Sequence, residues 1–177
     1  MTTIVVEDGS QVANANSYVS LADAINYHTL NGNTDFTDAD SDTQTFALLQ
    51  ACQSMELLYG PDYLGKISPL SPQALLHPRM YYLTTTGRQV MPYTISPSVI
   101  QAQCEIALMQ IQGTDIFPIR STTQNISSET VKVGDLSDAI TYSRPAEGEK
   151  FPGFRKIDLI LAPVLRNCKT QGVRIGL

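Results

Sequence analysis

The side chains of this chain that are capable of chemistry are few and scattered. His28 and His77 are the only histidines, Cys52, Cys104 and Cys168 the only cysteines, and there is no tryptophan. General acid-base or nucleophilic catalysis needs a nucleophile within reach of a base, and nothing in the spacing pairs them. Glu56 and Glu105 each fall inside a predicted helix and would suit a carboxylate pair, but no local pattern joins them. His28, one turn after Ala24 and Ile25, reads as a packing or surface residue. The cysteines are odd in number and far apart, so neither a disulfide framework nor a zinc site is expected, and Cys52 and Cys104 read as small buried hydrophobes. No Gly-rich phosphate loop, Gly-x-Gly-x-x-Gly, Cys-x-x-Cys, His-Glu-x-x-His or Gly-x-Ser-x-Gly occurs. The expectation is a protein that is not an enzyme and holds no cofactor or metal.

Two further sets need weighing. Asp38, Asp40 and Asp42 alternate like the opening of a calcium loop, with Asp35 nearby. The sixth loop position is Thr43 rather than glycine and the twelfth is Leu49 rather than glutamate, so the pattern fails. Carboxylates before a helix N-terminus explain it better. Single-stranded DNA binding needs a positive groove with stacking aromatics, and Arg79, Tyr81, Tyr82 and Arg88 are the closest candidates. Tyrosines in a hairpin read first as packing groups.

Charge is unevenly spread. The net charge is -5, but residues 1–119 hold 3 basic against 11 acidic side chains while residues 120–177 hold 9 against 6. The basic end is densest over 150–177, where Lys150, Arg155, Lys156, Arg166, Lys169 and Arg174 face Asp158 alone, which suits an arm seeking an acidic surface or phosphates. Hydrophobic content of 42% and charged content of 16% are those of a globular chain. Neither a signal-peptide pattern nor a membrane-spanning run is seen, so a cytoplasm, or a particle built there, is the expected setting.

The elements that must position these residues are mainly helical. Ser20 and Asp23 read as an acidic capping box, with the Ser20 hydroxyl on the Asp23 amide and the Asp23 carboxylate on the Ser20 amide. The first helix then runs from Leu21 to about Asn31 and stops at Gly32. Ser41-Asp42-Thr43-Gln44 reads as a second capping box, followed by Leu48, Ala51, Cys52, Met55 and Tyr59 up to Gly60-Pro61. Ser96-Pro97 opens a third helix with Ile100, Cys104, Ala107, Leu108 and Ile111 as its stripe until Gly113. Phe154, Ile157 and Leu161 mark a short fourth helix that Pro163 ends near Leu161. Residues 61–95 carry five prolines and fit loop plus one hairpin, 80–83 with 88–91 around Gly87. A second hairpin is expected from Thr130–Val133, a turn at Gly134-Asp135, and Ile140–Tyr142. Asn167 to Leu177 reads as a mobile tail. The fold class expected is mainly α, a small helical bundle with short β-hairpin excursions and extended N- and C-terminal arms. Residues 1–119 would form the body, and 120–177 a hairpin, short helix and basic arm of the same structural unit.

Several of these stretches together resemble a known family. Glu7-Asp8-Gly9-Ser10, Ala15 to Ala24, Leu76-His77-Pro78-Arg79 and Gln101 to Leu108 stand in the order seen in a family of small tailed-bacteriophage head-tail adaptor (head completion) proteins, often labelled DnaT-like single-stranded DNA-binding. The resemblance spans most of residues 4–165. It implies a structural connector: a ring of about twelve copies between the portal protein and the next tail component, whether stopper, nozzle or tail terminator, with genome double-stranded DNA passing through the channel. It further implies a virion neck location after assembly in the host cytoplasm, and no membrane partner. Within this resemblance Ser20, Asp23, Arg79 and Glu105 are the structural signature. Glu105 is expected to pair with Arg79, and His77, where the family usually has an aromatic ring, to act as a flat packing group. Arg166, Lys169 and Arg174, with Val173, Ile175 and Leu177 between them, are the expected portal-docking residues. The alternative from another class is a replication-associated single-stranded DNA-binding protein, whose affinity falls steeply with salt.

Overall fold

The computed structural model describes residues 3–67, 72–80, 82–117, 126–129, 140–142 and 154–166. Residues 115–153 form one compact unit, and 1–114 with 154–177 another. The fold is mainly α, with two small antiparallel hairpins.

The N-terminal lead is extended only as far as Val6, which bridges to Ser17, while the chain between them loops back. Glu7, 1% exposed, sits inside this loop and its carboxylate accepts from the amides of Gly9 (2.8 Å), Gln11 (3.0 Å) and Val12 (2.7 Å). A carboxylate desolvated among backbone donors is satisfied there, and it fixes the loop's shape.

Helix α1 (Leu21–Leu30) begins at Ser20, whose hydroxyl oxygen accepts from the Asp23 amide at 3.1 Å. The reciprocal half of the box differs from expectation: the Asp23 carboxylate accepts from the Ser20 hydroxyl at 2.6 Å instead of from its amide. Gly32, with φ +69°, turns the chain out of the helix as expected. The single turn α2 (Thr34–Thr37) buries Phe36 against His28, ring centroids 4.0 Å apart.

Helix α3 (Ser41–Tyr59) is capped one residue earlier than its serine suggests. Asp40 holds extended dihedrals and its carboxylate accepts from the amides of Asp42 and Thr43. Asp40 and Ser41 are both good cap types, and the Gln44 side chain donates to the Phe36 carbonyl at 2.7 Å. Leu48, Ala51, Cys52 and Met55 are buried as the period demands.

Helix α4 (Pro97–Ile111) has Ser96 in the cap position without a side-chain cap bond. Its buried face is wider than one stripe: Val99 and every residue from Ala102 to Leu108 are buried, whereas Ile100 and Ile111 are only half-buried. A helix buried nearly all round must be central, and α4 packs on α3, α1, α2 and the short helix α5 (Arg155–Leu161). Gln103, wholly buried on α4, is satisfied by accepting from the Tyr18 amide and donating to Ser17 Oγ and the Leu48 carbonyl.

The first hairpin pairs β1 (Tyr82–Leu83) with β2 (Gln89–Val90), turning at Gly87 (φ +81°). In the unit 115–153, β3 (Ile126–Glu129) pairs with β4 (Ile140–Tyr142). The second strand is where expected; its partner is 126–129, whereas the expected strand 130–133 lies outside the described residues.

Candidate functional site

Three side chains that sequence alone left unconnected meet where the Pro-rich loop returns to the helices. The Tyr18 hydroxyl donates to Glu56 Oε1 at 2.6 Å and accepts from the His77 amide at 3.0 Å. Glu56 Oε2 accepts from the Leu76 amide at 2.8 Å. The His77 ring lies edge-on to Tyr63 (4.5 Å between centroids) and Tyr18 (5.9 Å), so it is the packing ring that the resemblance implied. Burial raises the Glu56 carboxyl above its ordinary range, against the lowering pull of its hydrogen bonds and of Arg79. Burial, with Arg79 adding to it, pushes the His77 imidazole down to about 3. Tyr18 is pushed well up, first by burial and then by Glu56. Acid, base and hydroxyl are thus present together, but Tyr18 and Glu56 spend their bonds on backbone amides and on each other. The geometry clamps a loop.

The signature residues divide accordingly. Glu105 does not pair with Arg79: its carboxylate accepts from the Tyr27 hydroxyl at 2.8 Å and forms an ion pair with Lys156 on α5. Glu105 sits on the side of α4 that meets α1 and α5, while Arg79 belongs to the loop beside α3. Glu56 is the carboxylate that ties that loop down. Arg79 donates from Nη2 to the Gly65 carbonyl (3.2 Å) and its guanidinium carbon lies 5.8 Å from the Tyr63 ring centroid. Burial, followed by the nearby Arg166 charge, lowers its pKa.

Asp40 is the α3 cap and Asp35 accepts from Gln112 at 2.7 Å, so these two carboxylates of the acidic loop are engaged structurally. No grouping able to hold a metal ion occurs among the described residues. Cys52 and Cys104 are buried free thiols, the latter pushed up to about 12 by burial. No described helix is long and apolar enough to cross a membrane.

The basic residues of the acidic body lie on segments that are bonded to one another. Gly65, at φ +76°, lets the chain pass so close to the loop that a Cβ there would lie 2.9 Å from the Met80 carbonyl oxygen. The Met80 amide then donates to the Lys66 carbonyl at 2.7 Å. The Leu64 amide bonds the Val164 carbonyl, the Arg166 amide the Asp62 carbonyl, and the Thr85 amide the Pro163 carbonyl. Residues 62–66, 79–80, 82–85 and 162–166 are therefore stitched into one layer, continued by the hairpin that carries Arg88. Lys66, Arg79 and Arg88, the three basic residues of positions 1–119, all lie on it, and Arg166 joins them from the chain's basic end. Of the aromatics expected to interleave, Tyr82 is buried and Tyr81 lies outside the described residues. The exposed ring beside this layer is Tyr93, which sequence reasoning did not single out. It lines a shallow groove with Gln11, Pro78, Arg79, Met80 and Pro92. Of the docking residues, Arg166 is exposed on the layer; Lys169, Val173, Arg174, Ile175 and Leu177 lie outside the described residues.

A family model described as "Putative DnaT-like ssDNA binding protein" matches residues 2–176. No curated protein and no solved structure matches the chain significantly.

Proposed function

The chain belongs to the DnaT-like ssDNA-binding protein family, and on that premise we propose that its basic loop layer binds single-stranded DNA. The placement of Lys66, Arg79, Arg88 and Arg166 on mutually bonded segments of an otherwise acidic body supports this reading. Cations gathered on one face displace counterions from a phosphate backbone, and acidic surroundings confine the strand to that face. The reading involves no catalysis and no bound cofactor. Fluorescence anisotropy with a labelled oligothymidylate over a salt series tests it. Four phosphate contacts give a log-log salt slope of about -3, at ~0.7 per contact on single strands. Charge reversal of both Lys66 and Arg88 to Glu is expected to flatten the slope by about 1.4 on the same basis. No binding at low salt, or an unaltered slope in the variant, overturns the reading.

A second reading is the phage head-tail adaptor, favoured by a specific observation: the same region exposes Leu83 (62%), Met91 (55%) and Tyr93 (62%). Exposed apolar side chains around a basic layer suit docking on an acidic protein rim, and the acidic remainder suits a channel through which DNA slides. The subunit would form a ring between the portal and the next tail component at the virion neck. Native mass spectrometry with the portal protein tests this: a fixed ring-like stoichiometry supports it, and it should be lost on deleting residues 167–177. Retained assembly after that deletion refutes the docking role of the C-terminal arm.

A further inference from the structure

Two residues other than glycine adopt positive φ among the described residues, Gln11 at +66° and Tyr93 at +63°, and both line the same groove. Left-handed backbone is disfavoured for side chains of this size, and such strain persists only where surrounding structure enforces it. The enforcement is visible. Gly9, at φ +106°, packs so closely on the Tyr93 carbonyl that a Cβ there would lie 2.1 Å from that oxygen. The Glu7 carboxylate fixes Gln11 through its amide at 3.0 Å. Two strained turns, held from a buried carboxylate and a glycine contact, therefore place a 62% exposed tyrosine beside Arg79.

Arg79 adds a second mark. Its Nε is buried and has no hydrogen-bond partner among the described residues, although its Nη2 is engaged and its charge is held near Arg166. Gln11, Pro78, Arg79, Met80 and Pro92 close together beside Tyr93 without leaving a cavity, and the exposed tyrosine side chain stands next to them.

We infer that this groove is a base-stacking shelf for one unpaired nucleobase, with Tyr93 as the stacking ring and Arg79 and Gln11 at the base edge or its phosphate. The inference rests on the single-stranded DNA reading and deepens it: Lys66, Arg88 and Arg166 would track the backbone, while Tyr93 would distinguish a strand with bases from one without. A nucleobase is the favoured occupant because the groove joins a flat aromatic to the cationic layer, and base stacking is tolerant of sequence.

The test compares a labelled oligothymidylate with an abasic strand of equal length, against the wild-type chain, Tyr93→Phe and Tyr93→Asn. Asparagine accepts left-handed φ readily, so Tyr93→Asn removes the ring while preserving the turn. The wild type is expected to prefer the strand with bases roughly tenfold or more, a single stacked base being worth that order. Tyr93→Phe keeps the preference; Tyr93→Asn abolishes it and leaves the salt slope intact. Equal wild-type affinity for the two strands, or a Tyr93→Asn preference equal to wild type, overturns the shelf while leaving backbone binding standing. Absence of binding to either strand overturns both.

Discussion

Replacing Glu56 probes the clamp that holds the Pro-rich loop against α3. Glu56→Ala removes two acceptors at once, the one for the Tyr18 hydroxyl at 2.6 Å and the one for the Leu76 amide at 2.8 Å. Hydrogen bonds to a charged acceptor contribute about 1.5–3 kcal/mol each. Against their loss stands the relief of desolvating a carboxylate whose pKa burial has already raised. The expected net destabilisation is ~2–4 kcal/mol, which for a chain of this size lowers Tm by about 5–15 °C. Glu56→Gln keeps the shape and one acceptor oxygen, so its cost should be ~1 kcal/mol at pH 7. The pH dependence has a definite sign. A carboxyl whose folded pKa exceeds its ordinary 4.5 binds its proton more tightly when folded. That contribution is full below 4.5 and is lost as pH rises through the raised value. Urea melts followed by circular dichroism from pH 4 to 8 should show the stability of the wild type relative to Glu56→Gln falling as pH rises, the histidine contributions being common to both. An unchanged urea midpoint for Glu56→Ala at pH 7 would refute the clamp.

Other perturbations have comparable scale. His77, with its pKa pushed down from 6.5 to about 3, protonates first in the unfolded chain; its contribution is full above 6.5 and is lost as pH falls towards 3. The loss approaches ~1.4 kcal/mol per pH unit. His28, also lowered by burial, adds the same sign, so His77→Phe should shrink the acid loss between pH 6 and 4 without abolishing it; equal slopes would refute a buried neutral His77. Leu48→Ala, at the wholly buried face of α3, should cost ~2–5 kcal/mol in urea unfolding through the cavity it leaves. Lys156→Ala should cost only ~0.2–1 kcal/mol, because its side chain is 65% exposed. Glu105→Ala should cost clearly more, since Tyr27 loses its buried acceptor as well. Equal losses in thermal melts would count against that asymmetry.

The helices were legible because their signals are local. Apolar residues three and four apart, and glycines after the last turn, need no partner from elsewhere in the chain. Where two capping types stood side by side, Asp40 and Ser41, sequence could not choose, because both residue types are favoured at the cap. The strand Ile126–Glu129 was missed for a similar reason: its ISSE sequence has little of the β-branched alternation that marked Thr130–Val133. The site was less readable. Glu105 meets Lys156 across 51 positions and Glu56 meets Leu76 across 20, and a glutamate inside a helix carries no sign of which segment will return to it. The strained turn at Tyr93 was hidden because tyrosine is not a residue type that announces positive φ. Gly9 was the available clue, since a glycine in a lead of this kind can mark a close backbone approach.

The stitching of segment 154–166 onto the body also sets an order of assembly. Tyr59 donates to Asp158 across 99 positions, and Leu64 and Thr85 receive their backbone partners from Val164 and Pro163. A chain emerging from the ribosome therefore makes α1 to α4 well before the piece that covers α4 and completes the layer. During that interval the apolar side of α4 that α5 will cover has no cover from its own chain. Contacts of such long sequence separation close late and slowly. This last step waits for residues 154–166 to be made, and it also delivers Arg166 to the layer. A nascent or truncated chain lacking residues 154–166 would expose the apolar side of α4 that α5 covers and would lack Arg166 on the layer.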